Sequence, residues 1–500
     1  MAAILAAAGS VACALAVVRG SDALRERPPA HVALFVTADL RGYLAPCGCS
    51  ENMRGGIARA AEQIALARRD GLPTLYADSG DSLFHAATVP PEAVPQEERK
   101  AKAIAEAMKQ MGLVARTSGE RDDARGAAFR EGLGLPGLAP GEAKVVEANG
   151  RAIGFAAGND ADTLRQAARV ARKDGAEFVV GLFHGTARAA QQAAQTSEPP
   201  LGADAIVVSH AESDLDGETN KLLRGSIPVM QPQNKGRSLL RIDVWFGPRA
   251  GPFELLATQQ DAQRQLDALD ERIALLDKQI NLPGLDEPAK QLRRQKLAEL
   301  TRRRETLATQ RAPSGEGRNA LSVRFIPLEA SLPADRGVEA VLQRYDKDVG
   351  LLNLAWAKAH GHDCPAPEAN QAAFVGNARC RDCHEEAFPI WEASKHAHAY
   401  ATLEDKSKQY HLDCIACHVT GWQRPGGVCR IDKVDERKGV GCESCHGPGS
   451  LHAEDPSDDN ISKGNTPQTC TGCHDPENSP HFDFDAYVRL ITGPGHGNSR

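Results

Sequence analysis

The chain has 500 residues, of which 25% are charged, and its formal net charge of -7 gives an isoelectric point near 6.2. This length is more than one domain usually contains, and it provides ample chain for a large core. The negative charge argues against nucleic acid as a partner, because a nucleic-acid-binding surface needs an excess of basic side chains.

The first 30 residues differ in composition from the rest of the chain. Residues 1–18 are almost wholly apolar, and a charged, proline-containing stretch follows over residues 19–29. The length of the apolar run suits a signal peptide better than a full membrane span. We therefore predict that residues 1–30 are a signal peptide or an N-terminal membrane anchor, and a lipid attached to Cys13 is an alternative form of anchor.

Residues 31–250 alternate apolar, strand-like runs with helical patterns, which is typical of an α/β domain. Helical candidates lie at residues 56–70 and 99–112. Four of the apolar runs end shortly before a side chain that can bind a metal, and these side chains are Asp39, Asp81, His184 and His210. Because ligands of open α/β sheets bind at the carboxyl ends of the strands, we expect these four residues to lie close together.

Five short segments of this domain resemble the 5'-nucleotidase branch of the calcineurin-like metallophosphoesterases. They are residues 37–42, 55–59, 77–82, 184–185 and 209–210. In that family, carboxylates and imidazoles at strand ends hold two metal ions, which clamp a phosphate and activate water. The resemblance implies an α/β metallophosphoesterase-like sandwich and a residual site for Mn or Zn at Asp39, Asp81, His184 and His210.

The sequence departs from the family pattern at four positions. Arg41 stands where the family has a histidine, Glu120 and Arg121 replace an Asn-His pair, and Glu212 replaces the last histidine. An arginine cannot bind a metal because its guanidinium has no lone pair to offer. These changes favour a degenerate binding or redox domain over an active metal-dependent phosphoesterase. Two guanidinium groups could instead bind an oxyanion.

Cys47 and Cys49 lie on the loop after the first strand, near the mouth of this site. A closely spaced pair of cysteines in an exported protein is typical of a reversible dithiol, and a structural disulfide or metal binding are the alternatives. Some exported nucleotidase-like proteins resemble this chain in carrying selenocysteine at the second position. That resemblance implies that Cys49 is the reactive member of the pair.

Residues 251–315 have a different pattern from the α/β domain. Apolar residues recur there at spacings of three and four, and the break at residues 281–284 divides the pattern into two arms. We predict a helical hairpin or coiled coil, which packs against itself or against a partner. A connecting segment over residues 316–370 contains one strand-like run at 321–326 and an amphipathic helix near 336–358.

Four copies of Cys-x-x-Cys-His lie in the last 125 residues, where roughly 0.01 copies would be expected by chance. Two cysteines at this spacing can attach one haem covalently, and the adjoining histidine then binds its iron. Zinc is the alternative, but a zinc ribbon needs no histidine after each cysteine pair. The predicted attachment cysteines are Cys380, Cys383, Cys414, Cys417, Cys442, Cys445, Cys470 and Cys473. The predicted proximal iron ligands are His384, His418, His446 and His474.

Residues 371–500 show little periodic apolar pattern, so we predict a mainly α or irregular tetrahaem domain in which the porphyrins form the core. Residues 376–500 resemble the cytochrome c-554 family at segments 391–397, 417–422, 439–452 and 479–484. The resemblance implies distal iron ligands at His396 and His452, with His496 or His481 as a third. It also implies that one iron can lack a sixth protein ligand.

These observations together predict a multidomain, exported, periplasmic c-type cytochrome with four covalently bound haems. We expect it to transfer electrons with periplasmic or membrane redox partners, because haems with two histidine ligands are usually electron carriers. A tethered phosphoesterase, or a multihaem reductase of a small nitrogen or sulfur compound, are the alternative functions. Cys364 and Cys429 remain outside all motifs, and they either pair or stay free.

Overall fold

The computed structural model describes residues 27–46, 53–211, 213–256, 259–280, 287–309, 315–464, 466–475, 478–479 and 481–496. Several sequence predictions lie outside these ranges. They concern residues 1–26, Cys13, the pair Cys47 and Cys49, and Glu212.

The first sheet has six strands in the order β11-β12-β10-β1-β2-β3. Their bounds are β1 Ala30–Thr37, β2 Thr74–Asp78, β3 Leu113–Arg116, β10 Ser238–Phe246, β11 Glu254–Leu255 and β12 Ala320–Pro327. Strand β1 pairs in parallel with β2 and antiparallel with β10. The carboxyl ends of β1 and β2 therefore meet at one edge of this sheet, which is where Asp39 and Asp81 follow them in the chain.

The second sheet also has six strands, in the order β4-β5-β6-β7-β9-β8. Their bounds are β4 Ala143–Ala148, β5 Arg151–Gly158, β6 Phe178–Phe183, β7 Ala205–Val208, β8 Lys221–Leu223 and β9 Val229–Gln231. Strands β5, β6, β7 and β9 run parallel, and β6 and β7 are buried along their whole length. Continuous apolar runs are expected in such strands because both faces of the sheet are covered.

The two sheets pack face to face and are covered by helices on their outer faces. Residues such as Leu34 and Val36 of β1 meet Phe155 and Val180 of the second sheet in one apolar cluster. Outside the first sheet lie α1 Ile57–Arg69, α2 Val94–Gln110 and α9 Arg336–His360; outside the second lie α4 Ala161–Lys173 and α5 Ala187–Thr196. The remaining helices before the hairpin are α3 Ala127–Gly132 and α6 Asp214–Gly217. This arrangement confirms the predicted α/β sandwich.

The predicted helical hairpin consists of α7 Gln259–Ile280 and α8 Glu287–Thr309. Its two arms pack on each other, and Arg304 forms an ion pair with Asp270 across them. The hairpin is inserted between β11 and β12 of the first sheet, which pair in parallel. The run at 321–326, which the sequence suggested was part of a connecting segment, is therefore a strand of the α/β domain.

The C-terminal region is built from short helices, loops and a small apolar cluster around Ile415, Val419 and Val428. Its helices are α10 Asn377–Arg381, α11 Phe388–Glu392, α12 Ala399–Asp405, α13 Leu412–His418, α14 Cys442–His446, α15 Ser450–Glu454, α16 Pro467–Thr471 and α17 Phe484–Val488. Cys364 and Cys429 form a disulfide that ties this region to the segment after α9. No helix among the described ranges is long and apolar enough to cross a membrane.

Candidate haem and metal sites

Each Cys-x-x-Cys-His motif lies on or beside a single helical turn. The second and third motifs lie within α13 and α14, and the first and fourth continue from α10 and α16. Residues three positions apart lie on the same side of a helix, so both cysteines of a motif face one direction. In the first and fourth motifs, the backbone N–H of His384 and His474 donates to the carbonyl of the first cysteine of the same motif, at 3.0 and 2.8 Å. The histidine therefore follows its cysteines without a break in the turn.

Three of the four proximal histidines are held by their Nδ1 atoms. His418 Nδ1 donates to the Ala399 carbonyl at 2.6 Å, and His446 Nδ1 donates to the Ser462 carbonyl at 2.8 Å. His474 Nδ1 lies 2.9 Å from the Ser479 hydroxyl. Metal-binding histidines usually make such a bond with the nitrogen that does not touch the metal. A proton on Nδ1 leaves the Nε2 lone pair available to iron.

Two imidazole pairs in this region have the separation expected across one iron. The ring centroids of His384 and His452 are 6.1 Å apart with planes inclined by 22°, and those of His396 and His474 are 6.0 Å apart. Two nitrogens that bind one metal from opposite sides lie about 4 Å apart, because each metal–nitrogen bond is about 2 Å long. Each ring centroid lies about 1 Å beyond its nitrogen, so the expected separation of the two centroids is about 6 Å. The two observed separations match this geometry.

The environment of these rings also suits metal binding. His452 Nδ1 donates to the Ser457 carbonyl at 3.0 Å, so its Nε2 is free in the same way as in the proximal residues. Desolvation lowers the pKa of His396 and of His474, which favours the neutral imidazole that a metal requires. The structure thus brings two of the predicted distal candidates, His452 and His396, close to proximal histidines.

The other two distal candidates are not brought into such pairs. Among the described residues, neither His481 nor His496 stacks on a proximal imidazole, and neither His418 nor His446 has an imidazole facing it. His411 is buried, but its Nε2 donates to the Asp346 carbonyl at 3.0 Å, which holds the ring away from a ligand role at that nitrogen.

Cysteines of different motifs lie next to each other. A hydrogen bond with Cys442 lowers the pKa of the Cys380 thiol, and a hydrogen bond with Cys473 lowers the pKa of the Cys417 thiol to about 7. Cys445 in turn lies close enough to raise the pKa of Cys473, after larger effects of the Cys417 bond and of burial. The first motif therefore neighbours the third, and the second neighbours the fourth.

The α/β domain has a separate polar site at the carboxyl ends of its strands. Asp39, Arg41 and Asp81 all have left-handed backbone conformations, with φ of 52°, 51° and 54°. Non-glycine residues adopt such angles at a cost of about 1–3 kcal/mol each, and they concentrate at functional sites. Both loops that carry these residues are thus held in strained conformations at the sheet edge.

Four side chains at this edge can hold a metal ion. Asp81, Glu120, His184 and His210 each offer one ligand atom, and these atoms lie within 4.8 Å of one another. His210 Nδ1 is 3.2 Å from Asp81 Oδ2, and His184 Nε2 is 2.8 Å from Glu120 Oε2. Asp81 is completely buried, Glu120 is exposed, and the two histidines are partly exposed. Two carboxylates and two imidazoles are a donor set that Zn²⁺ and Mn²⁺ accept.

Asp39 lies outside this group because Arg41 binds both of its carboxylate oxygens, at 2.7 and 3.0 Å. Both side chains are buried. Burial raises the pKa of Asp39, and the Arg41 guanidinium only partly offsets this. Glu120, which the sequence suggested was a lost ligand, is instead one of the four residues of the candidate metal site. The sequence did contain a signal for this role of Glu120, since a carboxylate at the position of a family ligand can itself bind a metal.

Asp122 binds the backbone of the loops that form the site, and the sequence analysis did not identify it. Its Oδ2 accepts hydrogen bonds from the backbone N–H of Asp81 at 2.7 Å and of Gly119 at 2.9 Å. Its Oδ1 accepts from the backbone N–H groups of the two residues after Asp81, both at 3.0 Å, and lies 2.8 Å from the buried Arg116 guanidinium. One carboxylate therefore fixes the two loops that supply Asp81 and Glu120.

Comparison with known proteins finds a related family for part of the C-terminal region. Residues 379–447 match the family described as cytochrome c554 and c-prime. Cytochrome c-554 of Nitrosomonas europaea is 35% identical over 96 aligned positions, and the match covers 16% of this chain and 41% of that protein. The chain thus spans about two fifths of the length of this curated relative. The C-terminal region resembles cytochrome c-554, as the sequence predicts.

Solved structures similar to the chain include two from Thermus thermophilus. A 5'-nucleotidase precursor is 14% identical, and the match covers 76% of this chain and 68% of the precursor's chain, with a TM-score of 0.40. A sulfate thiohydrolase is 14% identical, and the match covers 64% of this chain and 61% of the thiohydrolase chain, with a TM-score of 0.39. The calcineurin-like phosphoesterase YfkN of Bacillus subtilis is 16% identical, covering 45% of this chain and 88% of its own at a TM-score of 0.35.

Proposed function

We propose that the protein is an exported c-type cytochrome whose four covalent haems transfer electrons in the periplasm. The observation that carries this proposal is the pair of imidazole couples at 6.1 and 6.0 Å, which have the spacing of two ligands on one iron. His384 with His452, and His474 with His396, would each hold one haem. His418 and His446 would bind the other two irons from one side.

The haems would supply one-electron redox chemistry, and the chain supplies their spacing. The contacts between cysteines of different motifs support a continuous order in which the first haem neighbours the third and the second neighbours the fourth. The effect of Cys445 on Cys473 supports a link between the third and fourth. Electrons could therefore pass through all four haems without a catalytic side chain.

Haem content and iron ligation test this proposal directly. Protein matured with the c-haem attachment machinery should carry four haems by pyridine haemochrome absorbance and by intact mass. Changing Cys442 and Cys445 to alanine together should reduce the mass by one haem. Zinc in place of iron, or haem that acid–acetone extraction removes, would contradict covalent attachment.

For the α/β domain we propose one divalent cation, Mn or Zn, held by Asp81, Glu120, His184 and His210. A dinuclear hydrolase needs a second ion, and the bidentate contact of Arg41 with Asp39 removes the carboxylate that would bind it. Metal analysis after a chelator wash and reloading should give about one Zn per chain. Two ions per chain together with phosphatase activity would instead favour the phosphoesterase.

A reductase of a small nitrogen or sulfur compound is the second candidate function. It is favoured by His418, which has no imidazole facing it among the described residues. A five-coordinate iron can bind a small ligand, so this function requires a high-spin ferric haem that binds cyanide. A fully low-spin spectrum that cyanide does not change would remove this candidate.

Periplasmic location, redox partners and a reversible dithiol at Cys47 and Cys49 are part of the same proposal. The disulfide between Cys364 and Cys429 supports an oxidising compartment, because such bonds are rare in the cytosol. Fractionation of cells that express the full chain should recover the haem protein in the periplasm or on the outer side of the membrane.

A further inference from the structure

Helix α2 of the α/β domain forms a polar contact with the second haem motif. Lys100 Nζ lies 2.9 Å from Asp413 and 2.6 Å from Glu97, and only 7% of Lys100 is exposed. Gln96 Oε1, one turn earlier, accepts a hydrogen bond from the backbone N–H of Leu412 at 3.0 Å. Asp413 directly precedes Cys414, so a buried cation of the α/β domain lies beside the attachment site of the second haem.

Helix α9 strengthens the same contact from the other side. Asn353 Nδ2 donates to Gln96 Oε1 at 2.7 Å and to the Tyr410 carbonyl at 2.9 Å. His411 Nε2 donates to the Asp346 carbonyl on α9. Gln96 and Asn353 are almost fully buried, and buried polar groups with specific partners fix the relative position of the elements that carry them. The second motif is therefore held against the α/β domain.

The same helix also contacts the candidate metal site. Glu98 of α2 forms an ion pair at 2.9 Å with Arg125, which lies on the loop that carries Glu120 and Arg121. Helix α2 thus contacts the metal-site loop through Glu98. It contacts the residues just before the second haem motif through Gln96 and Lys100. A shift of that loop can be transmitted along a single rigid element.

Arg121 contacts the cation site directly. Its Nη1 lies 3.1 Å from Asp81 Oδ2, and its Nε donates to the His85 carbonyl at 3.2 Å. Desolvation would raise the pKa of Asp413, but the Lys100 ammonium, 2.9 Å away, outweighs it and lowers this pKa. A cation at Asp81 would compete with Arg121 for the same carboxylate oxygen.

We propose that the cation site of the α/β domain and the haem at Cys414 and Cys417 are energetically coupled, so that filling the site raises the midpoint potential of that haem selectively. This inference rests on the proposed function, which supplies both the haem and the cation. Added positive charge favours the reduced iron, which carries one positive charge fewer. By reciprocity, reduction of the haem must tighten cation binding by the same factor.

Redox titration with and without zinc tests the coupling, because Zn²⁺ is redox-inert. We expect one of the four haem components to shift to higher potential and Zn²⁺ to bind the reduced protein about fivefold more tightly than the oxidised protein. This factor corresponds to about 40 mV for one electron. Calorimetry of Zn²⁺ binding to both redox states gives an independent value of the same factor.

Lys100 and Lys102 provide a matched pair of variants on the same helix. Lys100→Met should lower the potential of the component that zinc shifts, and Lys100→Arg should restore it, because a positive charge beside Asp413 favours reduction. Lys102 is exposed, so Lys102→Met should leave all four potentials and the zinc shift unchanged.

The outcomes separate this inference from the proposed function. If zinc binds and no potential moves, or if all four move equally, the coupling is refuted while the haems and the cation site stand. If zinc does not bind, both the coupling and the proposed cation site fail, and the electron-transfer proposal remains. These readings are obtained on the unmodified full-length haem protein, so they do not depend on whether a Lys100 variant folds.

Discussion

Changing Asp122 to asparagine should both weaken the α/β domain and loosen its cation site. The substitution keeps the size of the side chain but replaces one acceptor oxygen with an N–H₂ group and removes the charge. Asp122 Oδ2 would then no longer accept from the backbone N–H groups of Asp81 and Gly119. The buried Arg116 guanidinium, 2.8 Å from Oδ1, would keep that oxygen as a neutral acceptor but would lose its negative charge, so its charged partner would be Asp78 at 3.5 Å.

The size of the effect follows from these contacts. Removing one partner of a buried ion pair costs about 3–5 kcal/mol, because the other charge is left without compensation. Each buried donor that loses its acceptor costs about 1–3 kcal/mol, and these costs overlap with the loss of the ion pair. We therefore expect the free energy of unfolding to fall by about 3–5 kcal/mol. Zinc affinity should fall about 10- to 100-fold, as for other groups that orient metal ligands.

Urea unfolding of the full-length protein, followed by circular dichroism, measures the first quantity, and zinc calorimetry below the unfolding transition measures the second. The Soret band reports separately on the haem region, which is needed because a multidomain protein does not unfold in one step. Asp123→Asn is the control, since Asp123 is half-exposed and pairs with Arg130 at the surface. Its effect should stay below about 1 kcal/mol.

The reasoning would be refuted if Asp122→Asn and Asp123→Asn had the same small effect on unfolding and on zinc affinity. A loss of stability with unchanged zinc affinity would be informative in a different way. It would mean that the loops carrying Asp81 and Glu120 keep their positions without Asp122, so that this residue stabilises the fold and does not orient the site.

Three further changes test other parts of the structure. Replacing Cys364 and Cys429 by serine should lower the stability of the haem region by about 4 kcal/mol, because the bond closes a loop of 65 residues, and unfolding monitored at the Soret band would show it. His452→Ala should convert one haem to high spin in the electron paramagnetic resonance spectrum, whereas alanine at the exposed His398 should not; an unchanged spectrum in both would contradict the assigned pair. Arg41→His should raise bound zinc above one ion per chain, since it removes the guanidinium that occupies Asp39; metal analysis that still gives one ion would contradict this explanation.

The sequence was most informative where the chemistry is local. Cys-x-x-Cys-His contains the whole attachment motif within five residues, and its family match covers residues 379–447. The α/β sandwich was also predictable, because apolar strand runs such as β6 are continuous in sequence. The strand β12 was misplaced, because its partners β10 and β11 lie before a hairpin of more than 50 residues and no local pattern encodes that pairing.

The metal site shows where local patterns were insufficient. Comparison with the family pattern identified Arg41 as unable to bind metal, but only the structure shows that it binds Asp39 and leaves Asp81 to the remaining ligands. Glu120 was counted among the losses because its residue type differed from the family pattern. Its role depends on distances to His184 and His210, which come from a different sheet, and such distances are not contained in a one-dimensional spacing.

The formal charges at the site predict that anion binding depends on the cation. Asp39 and Arg41 neutralise each other, whereas Asp81, Glu120 and Arg121 together leave one negative charge. One divalent cation would turn this into a net positive site that attracts an oxyanion, and a second cation would leave a buried excess of charge without partners. Inorganic phosphate should therefore bind at least about tenfold more tightly with zinc present, as measured by calorimetry. Equal binding without zinc would show that the arginines alone attract the anion, and the cation would then have a role other than anion binding.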